Sequence, residues 1–353
     1  MTSKGVHMAQ VGIRDVAEAL GLSISTVSRA MSGHPEASPQ TVARVREAAS
    51  RLGYRPNQAG RALRRGSTGS VALFVPVDTA RTSLGETFYF SLVGGLQDIL
   101  NDSGLDVVMV PTRSGGDGLR QVRGMVERSI ADAYVLTNTS WIDARVDYLQ
   151  NAAVPFVTLG RTERRDHPAI DLDFAGVARQ AVERLAGEGR RHLALASDDR
   201  DITGTNIFIE AWHDAVRAAG LAESTVIRVR DSAAGGNELA SRLLAGQGER
   251  PDGLMLLQET LALGLYPELE RARVTIGSEL AVIGFRDNPV CSMLQPHLST
   301  FHLDLHALGT RLGQLVIEAA SGAPASPAEE VWPLTFAEEP AGATSSTTSR
   351  ATS

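Results

Sequence analysis

The apolar positions of the first sixty residues fall at helical spacing in three short stretches. Val16, Ala17 and Leu20 mark the inner face of a helix from about Arg14 to Leu20, and Gly21 stops it. Ser23 is placed to cap a second helix beginning near Ile24, whose Val27 and Met31 turn inward against Val16 and Leu20. Ser38-Pro39 reads as the N-cap and first residue of a third helix, on which Val42, Val45, Ala49 and Leu52 repeat until Gly53. Two helices joined by a tight turn with a third behind them predict a helix-turn-helix head.

The polar face of the second helix is where its chemistry lies. Ile24, Ser25, Ser28 and Arg29 point away from the predicted core. An apolar Ile24 at an exposed helix start suits a thymine methyl, Arg29 suits a bidentate contact to guanine, and Ser25 can serve a base edge. Ser23, Thr26 and Ser28 supply hydroxyls of the kind that hold phosphates. Taken alone, the stretch also fits an ordinary helical hairpin with a solvated face.

Charge argues against that plain hairpin. Residues 1–70 carry 10 Lys+Arg against 4 Asp+Glu, which leaves 24 against 37 for the remainder. A basic front on an acidic body suits a chain that meets DNA through its front only. Residues 54–66, Tyr-Arg-Pro-Asn-Gln-Ala-Gly-Arg-Ala-Leu-Arg-Arg-Gly, extend the basic character, and Pro56 and Asn57 are placed to start a short helix there.

From residue 69 the pattern changes to βα alternation. Val71–Val75, Val107–Val110, Ala133–Leu136 and Phe156–Leu159 read as buried strands, with helical stretches at Tyr89–Asn101, Leu119–Arg128 and Asp143–Gln150 between them. Strand-like runs resume at Ala169–Leu172 and continue at His192–Ala196, Val226–Val229, Gly253–Leu256 and Leu280–Ile283. Two doubly wound lobes in tandem, with a ligand cleft at the strand ends between them, are the simplest reading.

Ile13-Arg14-Asp15-Val16-Ala17, Ser25-Thr26-Val27-Ser28-Arg29 and Leu52-Gly53-Tyr54-Arg55-Pro56-Asn57 together resemble the headpiece of the LacI/GalR family of bacterial transcription regulators. The resemblance extends through the body to about Phe336. It implies an all-α helix-turn-helix headpiece with a hinge helix, followed by an α/β body of two doubly wound lobes like a periplasmic binding protein. The expected divisions are an arm at 1–10, a headpiece at 11–55, a hinge at 56–68 and a body at 69–339. Within the body, the first lobe takes 69–170 and 303–331 and the second takes 171–302 and 332–339. The implied interlobe crossings lie near Ala169–Asp173, Ser299–Leu303 and Trp332–Phe336. The Ser/Thr/Ala-rich stretch 340–353 has no core-forming residues and is expected to be disordered.

The resemblance also assigns roles. Ile24, Ser25 and Arg29 fall at the family's base-reading positions, with Ser23, Thr26, Ser28 and Asn57 expected on phosphates. Leu63 falls where the family wedges a hinge leucine into the minor groove, and Gly60 beside it weakens the short hinge helix by on the order of 1 kcal/mol. The implied partners are a palindromic double-stranded operator, a second copy of the chain and a small carbohydrate-like effector, with no membrane and no cofactor. The implied protein is a cytoplasmic repressor with no enzymatic activity.

The effector site departs from the family's pattern. Phe208 holds the position of an arginine that forks onto ligand oxygens, Arg286 that of a carboxylate after Gly-Phe, and Gln258-Glu259 that of Asn-Asp. One reading keeps a small polar ligand, with Arg286 supplying the guanidinium and Phe208 an apolar wall. The other pairs Arg286 with Asp287 or Glu259 in a cleft without a ligand, leaving control to a protein partner or to none. Phe88, Tyr89, Asn138 and Asp173 complete the candidate cleft set, although Phe88 and Tyr89 also fit helix packing and Asp173 a helix cap. A solute-binding protein would need an export leader and no basic head, and a sugar enzyme would need paired acid/base groups in the cleft. Neither pattern is found. The scattered histidines, His192, His213, His297 and His302 among them, read as surface or packing residues. The single Cys291 precludes an intrachain disulfide and a thiolate zinc site.

Overall fold

The computed structural model describes residues 11–31, 36–54, 67–77, 85–113, 118–245, 250–322 and 329–337, without the side chains of 85–87. The chain divides into two compact units, Met1–Thr68 and Gly69–Ser353. Asn57, Gly60, Leu63 and the expected terminal arm and tail lie outside the described residues.

The head is built from α1 (Ile13–Leu20), α2 (Ile24–Met31) and α3 (Pro39–Leu52). Asp15 accepts from the Gly12 N–H at 2.7 Å at the start of α1, and Gly21 ends it at φ +64°, a backbone region that favours glycine. Ser23 accepts from the Thr26 N–H at 3.1 Å, and Ser38 from the Thr41 N–H at 3.2 Å, satisfying otherwise orphaned donors. Val16, Ala17, Val27, Ala30, Val45, Ala48 and Ala49 form the buried core. On α2 the pair turned fully inward is Val27 and Ala30, with Met31 half-buried.

The body's first sheet has six parallel strands in the order β2-β1-β3-β4-β5-β11. They are β1 (Ser70–Val77), β2 (Asp106–Arg113), β3 (Ala133–Thr137), β4 (Phe156–Leu159), β5 (Ala169–Leu172) and β11 (Glu329–Trp332). β3, β4 and β5 are buried at every position, as expected for strands covered on both faces. Helices α4 (Gly85–Asp102), α5 (Gly118–Glu127) and α6 (Ala144–Asn151) follow β1, β2 and β3.

The second sheet is parallel in the order β7-β6-β8-β9, from β6 (Leu193–Ser197), β7 (Thr225–Arg228), β8 (Gly253–Leu256) and β9 (Ala281–Gly284). Its helices are α7 (Phe174–Gly187), α8 (Thr203–Ala218), α9 (Ala233–Ala245), α10 (Ala262–Arg271) and the short α11 (Pro289–Met293). An antiparallel ribbon of β10 (Thr300–His302) and β12 (Thr335–Ala337) opposes Phe301 to Phe336. Between them the chain runs through α12 (Leu305–Ala320), which packs on α4, and then through β11 in the first sheet. Strand order reverses between β1 and β3 in one sheet and between β6 and β8 in the other, and ligands of open α/β sheets bind at such switch points.

The α4–α12 contact depends on missing side chains. A Cβ on Gly309 would lie 2.0 Å from the Leu92 carbonyl oxygen, and one on Gly95 would lie 1.9 Å from that of His306. Backbone cannot yield as a flexible side chain can. Gly309→Ala is therefore expected to destabilise the chain by about 1–3 kcal/mol. Urea unfolding of the full chain checks this, with a lower midpoint at unchanged slope as the expected result.

Candidate DNA-reading surface and interlobe cleft

On the head, the first turn of α2 presents Ser23, Ile24 and Ser25 at the surface, with Thr26 partly covered. Ile24 is 43% exposed, an apolar side chain in water at a helix start. The Ser23 hydroxyl sits 2.8 Å from both the Ser25 and the Thr26 hydroxyl, making one polar cluster. Ser28 is half-buried, and Arg29 extends outward from the last turn. The arrangement offers an apolar group, hydroxyls and a guanidinium on one surface of a short helix, a combination suited to a major-groove edge.

In the body, the carboxyl ends of β1, β2 and β3 open onto a cavity of about 500 Å³. Phe74 and Pro76 line it from β1, Thr112 and Arg113 from β2, and Asn138 from just beyond β3. Arg145 joins from α6, and Arg200 and Ile202 come from the loop before α8. Asn138 turns the chain at φ +48°, a left-handed conformation that asparagine tolerates better than most residues.

Two ion pairs stiffen the walls. Arg145 contacts Asp143 at 2.6 Å and also donates to the Thr137 and Asn138 carbonyls at 3.2 and 3.1 Å. Burial alone would raise the Asp143 pKa, but these guanidinium and backbone donors hold it below the usual carboxylate range. From the second sheet, Arg200 holds the fully buried Asp198 and reaches Asp231 at 3.9 Å. The Oδ1 atom of Asp198 is buried without a hydrogen-bond partner, as is Oε1 of Gln258 at the end of β8.

A second, smaller cavity of about 100 Å³ shares Thr137, Asn138 and Ile202 with the first. Phe88, Tyr89 and Phe174 give it aromatic walls, and Asp171 lies at its base. The Tyr89 hydroxyl lies 3.3 Å from that of Thr137 and donates to Asn138 Oδ1 at 3.4 Å, and burial raises its pKa. Burial pushes the Asp171 carboxyl up to about 7 against the opposing pull of Arg161, with the Glu329 and Asp173 carboxylates adding to the rise.

Arg286 follows β9, and its backbone N–H donates to Glu259 Oε1 at 2.8 Å. Its guanidinium Nε lies 3.9 Å from Glu259 Oε2, and its Cζ stands 5.2 Å above the Phe88 ring. Asn288 donates to the same carboxylate at 3.2 Å. Burial raises the pKa of Glu259, and Arg286 opposes that rise. Together with the Thr203 N–H donating to the Thr139 carbonyl at 3.2 Å, the Arg286–Phe88 contact joins the two sheets' layers across the cleft.

These positions revise parts of the sequence-based set. Phe88, Tyr89 and Asn138 converge on the cavities, while Arg286 packs on Phe88 at their edge. Phe208 is fully buried between Trp212 and Phe285, so its role as an apolar cleft wall is corrected to a core residue. Asp173 is corrected to a helix cap, with its carboxylate accepting from the Gly176 N–H at 2.8 Å at the start of α7. Asp287 takes His302 at 2.9 Å, leaving Glu259 as the carboxylate that receives Arg286. Arg113, Arg145 and Arg200 were absent from that set. The Asp143/Arg145 and Asp198/Arg200 pairs, each two residues apart shortly after a strand, were the available signal.

Cys291 is buried, and burial pushes its thiol up to about 12. Among the described residues no group of His, Cys, Asp and Glu could hold a metal ion. Nor is any helix there long and apolar enough to cross a membrane.

Residues 12–57 match the family model for bacterial regulatory proteins of the lacI family, and residues 182–337 match that of a periplasmic binding protein-like domain. The chain is 26% identical over 316 residues to the HTH-type transcriptional regulator CelR of Thermobifida fusca, covering 88% of this chain and 92% of that protein. It is 28% identical over 334 residues to the HTH-type transcriptional regulator AglR of Rhizobium meliloti (strain 1021), covering 91% of each. Among solved structures, the lac repressor dimer bound to operator and the anti-inducer ONPF matches with a TM-score of 0.81 at 20% identity, covering 94% of this chain and 98% of that one. A transcriptional regulator CelR–cellobiose complex matches with a TM-score of 0.69 at 24% identity, covering 93% and 98%.

A helix-turn-helix head joined to a two-sheet body with a cleft at its strand ends defines a DNA-binding transcriptional regulator. The chain belongs to the lacI family of bacterial regulatory proteins.

Proposed function

We propose that the protein is a dimeric cytoplasmic repressor, without enzymatic activity, whose grip on a palindromic operator is set by a neutral polyhydroxylated ligand. That ligand is a sugar or sugar derivative, held between a first lobe whose sheet takes in β5 to Leu172 and β11 to Trp332, two residues and one residue past the expected divisions, and a second lobe built on β6 to β9. The observation that carries this reading is the cavity of about 500 Å³ at the β1/β3 switch point. Its size suits a small ligand, and its lining mixes apolar surface with arginine and asparagine donors. Guanidinium groups already paired to carboxylates present donors beside acceptors, which matches hydroxyls better than a full negative charge. The bound cellobiose named for the CelR complex supports the same ligand class.

On the DNA side, Ile24, Ser25 and Arg29 read bases, while Ser23, Thr26, Ser28 and Asn57 hold phosphates. Leu63 of the hinge wedges into the central minor groove, with Gly60 beside it in the same contact. Ligand in the cleft changes the relative population of lobe arrangements, and operator affinity follows by the ligand's differential affinity for them.

Thermal melting against a panel of sugars, sugar phosphates and polyols tests the ligand reading. A neutral sugar is expected to raise the midpoint of the wild type, and Arg113→Ala is expected to lose most of that shift. A panel without any shift would favour control by a protein partner.

A further inference from the structure

The side chain assigned to guanine reading is itself held by a carboxylate. Arg29 Nη1 donates to Glu36 Oε2 at 3.1 Å. Glu36 stands two residues before Ser38, the N-cap of α3, so the pair spans from the last turn of α2 to the approach of α3. The two side chains are 53% and 67% exposed, and an exposed pair of this kind adds little to folding stability. Its consequence lies in the geometry it imposes.

A guanidinium carries five N–H donors in a rigid planar fork, and a bidentate guanine contact uses two of them toward O6 and N7. A carboxylate on Nη1 fixes the rotation of that plane. A bidentate guanine contact then falls to the Nε–H and Nη2–H edge, which has the spacing of the fork. A long flexible side chain otherwise loses rotamer freedom when it binds, and a side chain already ordered loses less. The carboxylate also opposes a shift of Arg29 onto a neighbouring phosphate, because Glu36 would be carried toward the same negative charge.

We propose that Glu36 is a positioning residue for base reading, whose carboxylate holds the Arg29 guanidinium in the orientation that meets a guanine. It sets discrimination at that base and not total affinity for DNA. The proposal rests on the reading of Arg29 as a base contact.

The test uses the full chain and a library of random palindromic duplexes, from which the wild type selects its preferred sequence. Anisotropy titrations then compare three duplexes: the selected one, the same one with each Arg29-dependent guanine changed to adenine, and a random sequence of equal length. Glu36→Gln is expected to lower guanine-over-adenine preference about two- to fivefold, the scale of an exposed charge pair. Its binding to random duplex should stay equal or tighten, since a negative charge is removed. Glu36→Asp keeps the charge but shortens the reach, so it should lose the preference while binding random duplex as the wild type does.

An unchanged guanine preference in Glu36→Gln would overturn the proposal. So would a wild-type preference in Glu36→Asp, which would make charge alone sufficient. Arg29→Ala separates the two levels. If it keeps the wild-type base preferences, the Arg29 reading itself is lost. If it loses them while Glu36→Gln does not, only the role of Glu36 falls.

Discussion

Arg29→Ala is expected to weaken binding to the selected operator by about 5- to 150-fold per half-site, the range for losing one bidentate base contact. Binding to random-sequence DNA should change far less, because one cation among many contributes only about one unit to the salt slope. The asymmetry follows from where the residue stands. Arg29 lies at the exposed end of α2, outside the Val16–Val27–Val45 core, so truncating it leaves the head's packing intact. Titrations of operator and random duplex at two salt concentrations check the prediction. Equal losses on both DNAs would make Arg29 a phosphate contact.

Arg286→Ala is expected to cost about 3–5 kcal/mol of stability, because it leaves the buried Glu259 carboxylate without its cation. Arg286 keeps only 14% of its side chain exposed and Glu259 only 5%, so solvent screens the pair little. The loss should depend on pH in a stated direction. Burial already raises the pKa of Glu259 in the folded chain, and removing Arg286 removes the largest opposing influence. A carboxyl whose folded pKa lies above its unfolded value favours folding when protonated, and that contribution disappears as pH rises through the folded pKa. The deficit of Arg286→Ala should therefore be larger at pH 8 than at pH 5. Glu259→Gln combined with Arg286→Met should fall closer to the wild type, since no charge then remains buried. Urea unfolding of the three proteins at both pH values checks the set. A deficit that does not vary with pH would mean that Glu259 is not the group left behind.

Much of the fold was legible because its signals are local. Gly21 and Gly53 stop their helices at positive φ, Ser23 and Ser38 cap the next ones, and the apolar runs at 71–75 and 133–136 fall inside buried parallel strands. The short β11 and β12 were less visible as strands, because their pairing is set by partners more than thirty residues away.

The cleft was only half legible for the same reason. Sequence identified Phe88, Tyr89 and Asn138 by their place after predicted strands, but nothing local shows that Phe208 turns into the core against Phe285. The pairing of Arg286 with Glu259 spans 27 residues, and both Glu259 and Asp287 were open to it. Three-dimensional packing chose the first by giving Asp287 to His302 and the Leu303 N–H. Arg145 and Arg200 were missed because an arginine two residues from an aspartate looks like any solvated loop until both are seen against a cavity.

Occupancy of the cleft in the body is expected to control how tightly the head holds its operator. Anisotropy titration of the full chain on its selected palindrome, with and without a saturating sugar that raises its melting midpoint, measures this most directly. Operator Kd is expected to change about 5- to 150-fold, the usual span of such coupling, with binding to random duplex unaltered. An operator Kd that stays the same with the sugar bound would contradict it.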